Sequence, residues 1–346
     1  MAVRLYRKHD PANQTKYQDA KQLARSQARI LAGTPGTLKQ RTQSGNKYWV
    51  REYIRVDGRK TDEYIGAANS VEPSTIEKIR AEIELAKALA SSSAALRLFG
   101  YQRIDRKPAA VLQVFFNRGL TRGGLTLVGS HAYGALLNEL GILAAGYKTQ
   151  DIDVARSQLL AVALPDGFNF EALLKESGLN FVPVPGMPSH RPSASFKLPG
   201  AELLAVDLLV PGEKTGELVP VKELAAFAQA IPLLDYLIAD QIPGVVLSPN
   251  QVIPVRVPAP ERFVIHKLFS SQSRRSDRAK VGKDLAQAAV LTAALEDETP
   301  GTLSDAVRHL PKSGRPAVKR GAAAAARLLK EIHPAGWALL SRISRG

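Results

Sequence analysis

Tyr17, Ala20, Leu23, Ala24, Ala28 and Leu31 recur at intervals of three and four. That spacing predicts a helix over about 15–31, stopped by Gly33 and Pro35. The period then falls to two. Segments 36–41, 48–55 and the run ending Glu63-Tyr64-Ile65-Gly66 alternate around an Asp57-Gly58 turn, the pattern of a hairpin within a small antiparallel meander. Ser74-Thr75-Ile76-Glu77 has capping-box spacing and is expected to open a helix running to about Leu89. Ile76, Ile79, Ile83, Ala86 and Ala90 would share one side of it, and Ser91-Ser92-Ser93 would break it. Residues 1–95 read as a small basic α+β unit without a catalytic constellation.

The texture changes near residue 108. Residues 111–116 are apolar, helical or extended, and 125–128 read as a buried strand ending at Gly129-Ser130. A helix over 131–140 follows, stopped by Gly141, then a short strand over 151–155. Segments 194–198 and 203–210 look like a hairpin around Pro199-Gly200. Residues 223–239 read as mostly helical with Pro232 inside, and 252–257 as a further strand. From Pro260-Glu261 the chain is strongly helical, with Ala-rich stretches at 285–295 and 322–329. No internal repeat is visible. The expected fold class is α+β: the basic unit at 1–95, a mixed sheet with helices at 108–257, and a helical region at 258–346.

Composition narrows the function classes. A chain of 346 residues with 45% hydrophobic positions can bury a full core. It holds no cysteine, which excludes disulfide frameworks, cysteine zinc sites, iron–sulfur clusters and thiol catalysis. No apolar run approaches the roughly 18 residues of a membrane span. The first eight residues carry charge with no apolar run behind it, so a soluble cytoplasmic protein with no membrane partner is expected. The net charge of +15 is unevenly spread: +10 over 1–110, −4 over 111–250 and +9 over 251–346. Two basic wings flank an acidic middle. They are either solvated helix faces or a footprint for a polyanion.

The acidic middle carries the chemistry. Asp151 and Asp153 lie two apart on one expected strand, so both leave the same face. Asp207 interrupts an otherwise apolar strand, where a lone carboxylate is costly unless paired or bound to metal. Three converging carboxylates suit two Mg²⁺ or Mn²⁺ ions, the apparatus of in-line phosphoryl displacement. Gly129-Ser130, between a strand and a helix, offers close backbone approach, a hydroxyl and helix N-terminal amides for phosphate oxygens. Each signal alone is weak, since an Asp-x-Asp pair is often a solvated strand end and Ser130 an ordinary cap. Their order carries the information.

That order resembles the DNA polymerase β-like nucleotidyltransferase superfamily over roughly 108–295: Gly129-Ser130, then Asp151-Ile152-Asp153, then the distal Asp207. Twenty residues separate Ser130 from Asp151, more than in minimal members. The intervening Leu140-Gly141-Ile142 and Tyr147-Lys148-Thr149 fit a bacterial branch of that fold. The run from Pro260 through Lys267, followed by Arg274, Arg275, Arg278 and Lys280 and then Lys283-Asp284, is similar to the C-terminal signature of abortive-infection nucleotidyltransferase toxins. The resemblance implies an enzyme that moves an NMP from an NTP to an acceptor hydroxyl. Asp151, Asp153 and Asp207 would be catalytic and metal-binding, while Gly129, Ser130 and Lys267 would grip the triphosphate. Asp284 would orient the site or pair with a basic neighbour. A toxin-like role with a cognate antitoxin follows from the same likeness.

RNA, with a tRNA end as the expected form, is the acceptor that the basic wings suggest. The alternatives are a small-molecule or protein acceptor, and a catalytically silent nucleic-acid-binding protein of the same fold. His131 and His266 adjoin motif residues, but histidine more often packs or caps than catalyses. Tyr48, Trp49, Tyr53 and Tyr64 are most simply the core of the N-terminal sheet. Interleaved with Lys47, Arg51, Arg55 and Arg59, they are also a stacking surface for bases.

Overall fold

The computed structural model describes residues 5–146, 149, 151–156, 169–185, 192–200, 203–273 and 277–346. Met1 to Arg4, Tyr147, Lys148, Arg274 and Arg275, named above, lie outside them. The chain opens with β1 (Tyr6–Lys8) and α1 (Pro11–Arg25). Asp10 caps α1 by accepting from the Ala12 amide, and Pro11 fits the first turn, where no amide hydrogen is needed. The helix therefore starts before residue 15 and ends before Leu31, which is buried in the following loop.

The expected meander forms, with β3 (Asn46–Ile54) between β2 (Thr37–Gln43) and β4 (Lys60–Ala67). Its aromatics are not its core. Tyr64 is 63% exposed and Tyr48, Trp49 and Tyr53 are half-buried, because a three-stranded sheet this small has little interior. Val50 and Arg51 take the buried positions instead. The Arg51 guanidinium donates to the carbonyls of Ala32, Thr34 and Pro35 and to Glu63 at 2.6 Å. Burying it is tolerable because its donors are satisfied.

The capping box does not form. The helix α2 (Pro73–Leu98) begins at Pro73 with Glu72 in the cap position and no side-chain cap bond, so Ser74 already lies inside the first turn. It also runs straight through the serine triplet. The Ser92 hydroxyl donates to the Ala88 carbonyl and buried Ser93 donates to the Ser248 carbonyl at 2.6 Å, which removes their competition with the helical backbone.

The next elements are α3 (Arg106–Asn117), β5 (Thr126–Val128), α4 (Gly129–Glu139), β6 (Ile142–Ala144) and β7 (Asp151–Ala155). Then come α5 (Phe170–Lys175), β8 (Val182–Pro183), β9 (Ser195–Lys197), β10 (Ala205–Pro211), β11 (Leu218–Val221) and β12 (Ala226–Ile231). The sheet order is β11-β12-β10-β7-β5, with β9 sharing the β12 edge of β10 and β8 paired to β9. β10 runs parallel to β7 and β12 while the other pairings are antiparallel, so the sheet is mixed.

The helix expected over 223–239 is not there. A 3-10 turn at Lys222–Leu224 leads into β12, and only α6 (Leu234–Ile238) is helical. Ala228 and Ala230 are buried while Phe227, Gln229 and Ile231 are half-buried, a period of two. Pairing on both edges of β12 outweighed alanine's helix propensity.

The hairpin of β13 (Gln241–Leu247) and β14 (Val252–Pro258) follows. α1 packs on this hairpin and on α2, and β1 pairs with β6, so the N-terminal residues share contacts with the central elements. The C-terminal helices are α7 (Pro260–Ser273), α8 (Arg278–Glu298), α9 (Thr302–Arg308), α10 (Arg315–Leu329) and α11 (Pro334–Arg345). α7 packs between α8 and α10. Gly321 permits the α10 contact, since a β-carbon there would strike the Leu268 backbone. Among the described residues no helix is long and apolar enough to cross a membrane.

Candidate active site

Strand alternation places the carboxylates. On β7, Ile152 and Val154 are buried on one face, leaving Asp151 and Asp153 half-buried on the other. On β10, Val206, Leu208 and Val210 are buried and Asp207 faces the opposite way. The parallel register sets Asp207 directly beside Asp153 and Ala205 beside Asp151. Neighbouring strands lie about 4.8 Å apart, so the three aspartates form a short row on one face of the sheet.

β5 brings the glycine to the row. Val128 pairs with Asp153, and the chain then turns through Gly129 with φ +66°. A β-carbon at Gly129 would land on Asp153 Oδ2. Glycine is thus required twice, for the left-handed backbone and for the close approach to the carboxylate. The first turn of α4 begins there, and its cap residue Val128 makes no side-chain cap bond.

The environment of Asp207 is that of a crowded carboxylate. Burial pushes its affinity for a proton up, Ser195 offsets this by hydrogen bonding, the charge of Asp151 raises it further, and Lys197 and Lys280 pull it down. Ser195 lies opposite Asp207 in the β9–β10 pairing. Sequence reasoning missed Ser195 and Lys197. The signal was the register of the hairpin around Pro199-Gly200, which follows only once the length of the connecting loop is fixed.

The donor type of the row is the one that divalent cations of the hard class take. Its donors are all carboxylate oxygens on adjacent strands, which suits hard Mg²⁺ or Mn²⁺, and a cation would relieve the repulsion between Asp151 and Asp207. Among the described residues no three Asp, Glu or His side chains converge as a ready-made cage.

A cavity of 150 Å³ adjoins the row. Gly129 and Asp153 form its polar floor with Lys267 and His266, and Ile231, Leu234, Leu237 and Phe263 are among its apolar walls. Lys267 is buried on α7, with its ammonium 2.7 Å from Asp284 Oδ1 on α8 and 5.2 Å from the Phe263 ring centre. Asp284 is fully buried behind it and does not line the cavity. Of the expected residues, then, Gly129, Asp153 and Lys267 meet at one cavity, Asp151 and Asp207 complete the row, and Asp284 holds Lys267. Ser130 goes elsewhere. It lines a separate 40 Å³ cleft with His131, Gln102 and Arg103. Burial, and secondarily the charge of Lys283, hold the His131 imidazole down at about 4, and its Nε2 has no hydrogen-bond partner.

A family model described as nucleotidyltransferase matches residues 106–311, a span from α3 to Pro311 that includes the whole aspartate row, Gly129, Lys267 and Asp284. No curated protein and no solved structure matches the chain. The strand, glycine turn and aspartate row all fall within the matched span, and the chain belongs to the nucleotidyltransferase family, as an enzyme that transfers a nucleoside monophosphate from a nucleoside triphosphate.

Proposed function

We propose that Asp151, Asp153 and Asp207 hold two Mg²⁺ or Mn²⁺ ions and that the chain transfers an NMP to a hydroxyl of RNA. The observation that carries this reading is the register that sets Asp153 beside Asp207 with Gly129 against its carboxylate. Bound there, the ions would neutralise phosphate charge and acidify the attacking hydroxyl. Amides in the first turn of α4 would donate to phosphate oxygens beside Gly129, and Lys267 would supply positive charge to the same cavity. The apolar walls suit a nucleobase, since a cavity of about this size admits an aromatic ring. The acceptor oxygen bonds to the α-phosphorus, the bond from that phosphorus to the bridging oxygen breaks, and pyrophosphate leaves with the electron pair. The hydroxyl proton is lost to solvent.

Charge supports RNA over a small acceptor. Both wings outside the acidic centre are basic, at +10 and +9, and a phosphate backbone is the partner that such wings match. The test uses NTPs labelled at the α- or γ-phosphate, incubated with RNA, protein and metabolite fractions. Transfer of α-label to RNA, without γ-label, is expected. Label in protein or metabolites with none in RNA would remove the RNA acceptor, and transfer of γ-label would remove nucleotidyl transfer itself.

A further inference from the structure

Positive charge on this chain is paired in some places and bare in others. On the meander, Lys39, Arg41 and Lys60 converge on Glu52, and Arg41 also reaches Asp62. Arg55 pairs with Asp57, and Lys175 with Glu171. The last two helices differ. Residues 312–346 hold eight basic residues and one acid, Glu331, a net of +7 within the chain's +15. Among the described residues Arg320, Arg327, Lys330, Arg342 and Arg345 are exposed and make no ion pair.

Helical spacing sets these cations on outer faces. On α10, Val318, Ala322, Ala325 and Leu329 are buried, while Arg320, Ala323, Arg327 and Lys330 recur at three and four and are exposed. On α11, Leu339 and Leu340 are buried, and Ala335, Ala338, Arg342 and Arg345 are exposed at the same spacing. The two helices pack on each other and both contact α8, so their exposed faces turn away from it. Gly346, after the last turn of α11, lies against the Lys319 side chain, which brings Arg342 and Arg345 beside the Arg320 half of α10. The exposed positions between the cations are alanines, too short to hold a ligand off.

Helix chemistry explains only part of this charge. Arg327, Arg342 and Arg345 stand in last turns, where the dipole favours cations. Arg315 stands in the first turn of α10, where the dipole disfavours them, and Arg320 stands in mid-helix. Arg327 with Lys330, and Arg342 with Arg345, are like charges three apart, which weakens a helix. The excess is what an anionic partner would neutralise. A lipid surface fits it poorly, because the apolar faces of both helices are buried against their neighbours. Outside remain Leu328, Ile332 and Trp337 near the turn, 42, 40 and 40% exposed.

We propose that the outer face of α10 and α11, with Arg320, Arg327, Lys330, Arg342 and Arg345, holds the phosphate backbone of a double-helical stem in the RNA acceptor. This rests on the RNA reading above. A face of cations and alanines carries no aromatic platform for unstacked bases, so it suits a stem, which is held through its backbone and shape. Lys312 follows the residue at which the family match ends, so both helices lie beyond the matched span. α10 nevertheless packs directly on α7, whose Lys267 lines the 150 Å³ cavity. The face would thus anchor an acceptor beside the site without occupying it.

The test is anisotropy of a 5′-fluorescein RNA hairpin titrated with the full chain over a salt series, beside an unpaired strand of equal length and vesicles containing phosphatidylserine. Arg320→Gln/Arg342→Gln, at exposed positions, is expected to keep the wild-type circular dichroism and to bind the hairpin about tenfold more weakly. Its log–log salt slope should be shallower by about 2, one for each lost phosphate contact. Affinity for a fluorescent NTP analogue should be unchanged. Lys39→Gln/Lys60→Gln, whose cations meet on Glu52, should bind the hairpin like the wild type. Wild-type affinity and slope in the Arg320/Arg342 variant, with the wild type binding the hairpin, would overturn the face alone. So would a wild type that labels RNA from α-labelled NTP without binding the hairpin. Tighter binding of the unpaired strand would overturn the stem, and vesicle binding lost in the variant, with no hairpin bound, would give the face to a lipid surface instead. A wild type that neither binds nor labels RNA would overturn the RNA reading and the face with it.

Discussion

Asp284→Ala tests how the site holds its lysine. Lys267 is 8% exposed in its side chain and Asp284 is 0% exposed, with 2.7 Å between Nζ and Oδ1. Removing the carboxylate leaves an ammonium buried beside the Phe263 ring without its counter-charge. Breaking such a pair costs about 3–5 kcal/mol, mostly the desolvation of the charge left behind. Lys267→Met/Asp284→Leu removes both charges and should recover most of that loss in urea denaturation. Nucleotide binding separates structure from function. A ligand at a hundred times its Kd stabilises the wild type by about 2.7 kcal/mol. The double variant should be nearly as stable as the wild type without ligand, yet gain much less from Mg-NTP. An Asp284→Ala protein within about 1 kcal/mol of wild type would refute the buried-pair argument. Full ligand stabilisation in the double variant would refute the role of Lys267.

Gly129→Ala places a β-carbon on Asp153 Oδ2 and forces a left-handed alanine. Transfer should fall by two orders of magnitude or more, with the fold destabilised by only about 1 kcal/mol; near-wild-type turnover would show that the close approach is unimportant. His131 is held neutral down to about 4, whereas in the unfolded chain it takes a proton near 6.5. Its contribution is therefore full above pH 6.5 and is lost as pH falls towards 4, by up to about 3 kcal/mol. Urea midpoints at pH 7.5 and 4.5 should separate less in His131→Gln than in the wild type, and equal separations would contradict this. Arg51→Ala leaves three backbone carbonyls and Glu63 without their donor, so the meander should lose about 3 kcal/mol or more, read by hydrogen exchange in β3. Arg51→Lys should restore little, because an ammonium lacks the fork that spans those carbonyls. Equal protection in all three proteins would contradict that reading.

The strands of the site were legible because their signals are local. An apolar run punctuated by Gly129, and alternation across Asp151 and Asp153, need no knowledge of the rest of the chain. That Asp207 stands beside Asp153 was not legible, since cross-strand register is set by tertiary packing. The same packing turned the alanine-rich segment before Pro232 into β12 and drew Ser93 onto the Ser248 carbonyl, so that α2 continued where a break was expected. Lys267 was found by resemblance, but its ion pair with Asp284 depends on how α7 and α8 pack. Ser130 was expected on the phosphate side, and the turn at Gly129 sends it to another cleft. Net charge could not show that Lys39 and Lys60 meet on the one carboxylate of Glu52, because that pairing is set by strand register.

The most direct test of the aspartate row is label transfer from α-labelled NTP by Asp153→Asn, a near-isosteric change that removes one charge beside Asp207. With circular dichroism and urea midpoint unchanged, transfer should fall by at least about a hundredfold at saturating Mg²⁺. Transfer within a few-fold of wild type would contradict the catalytic role given to the row.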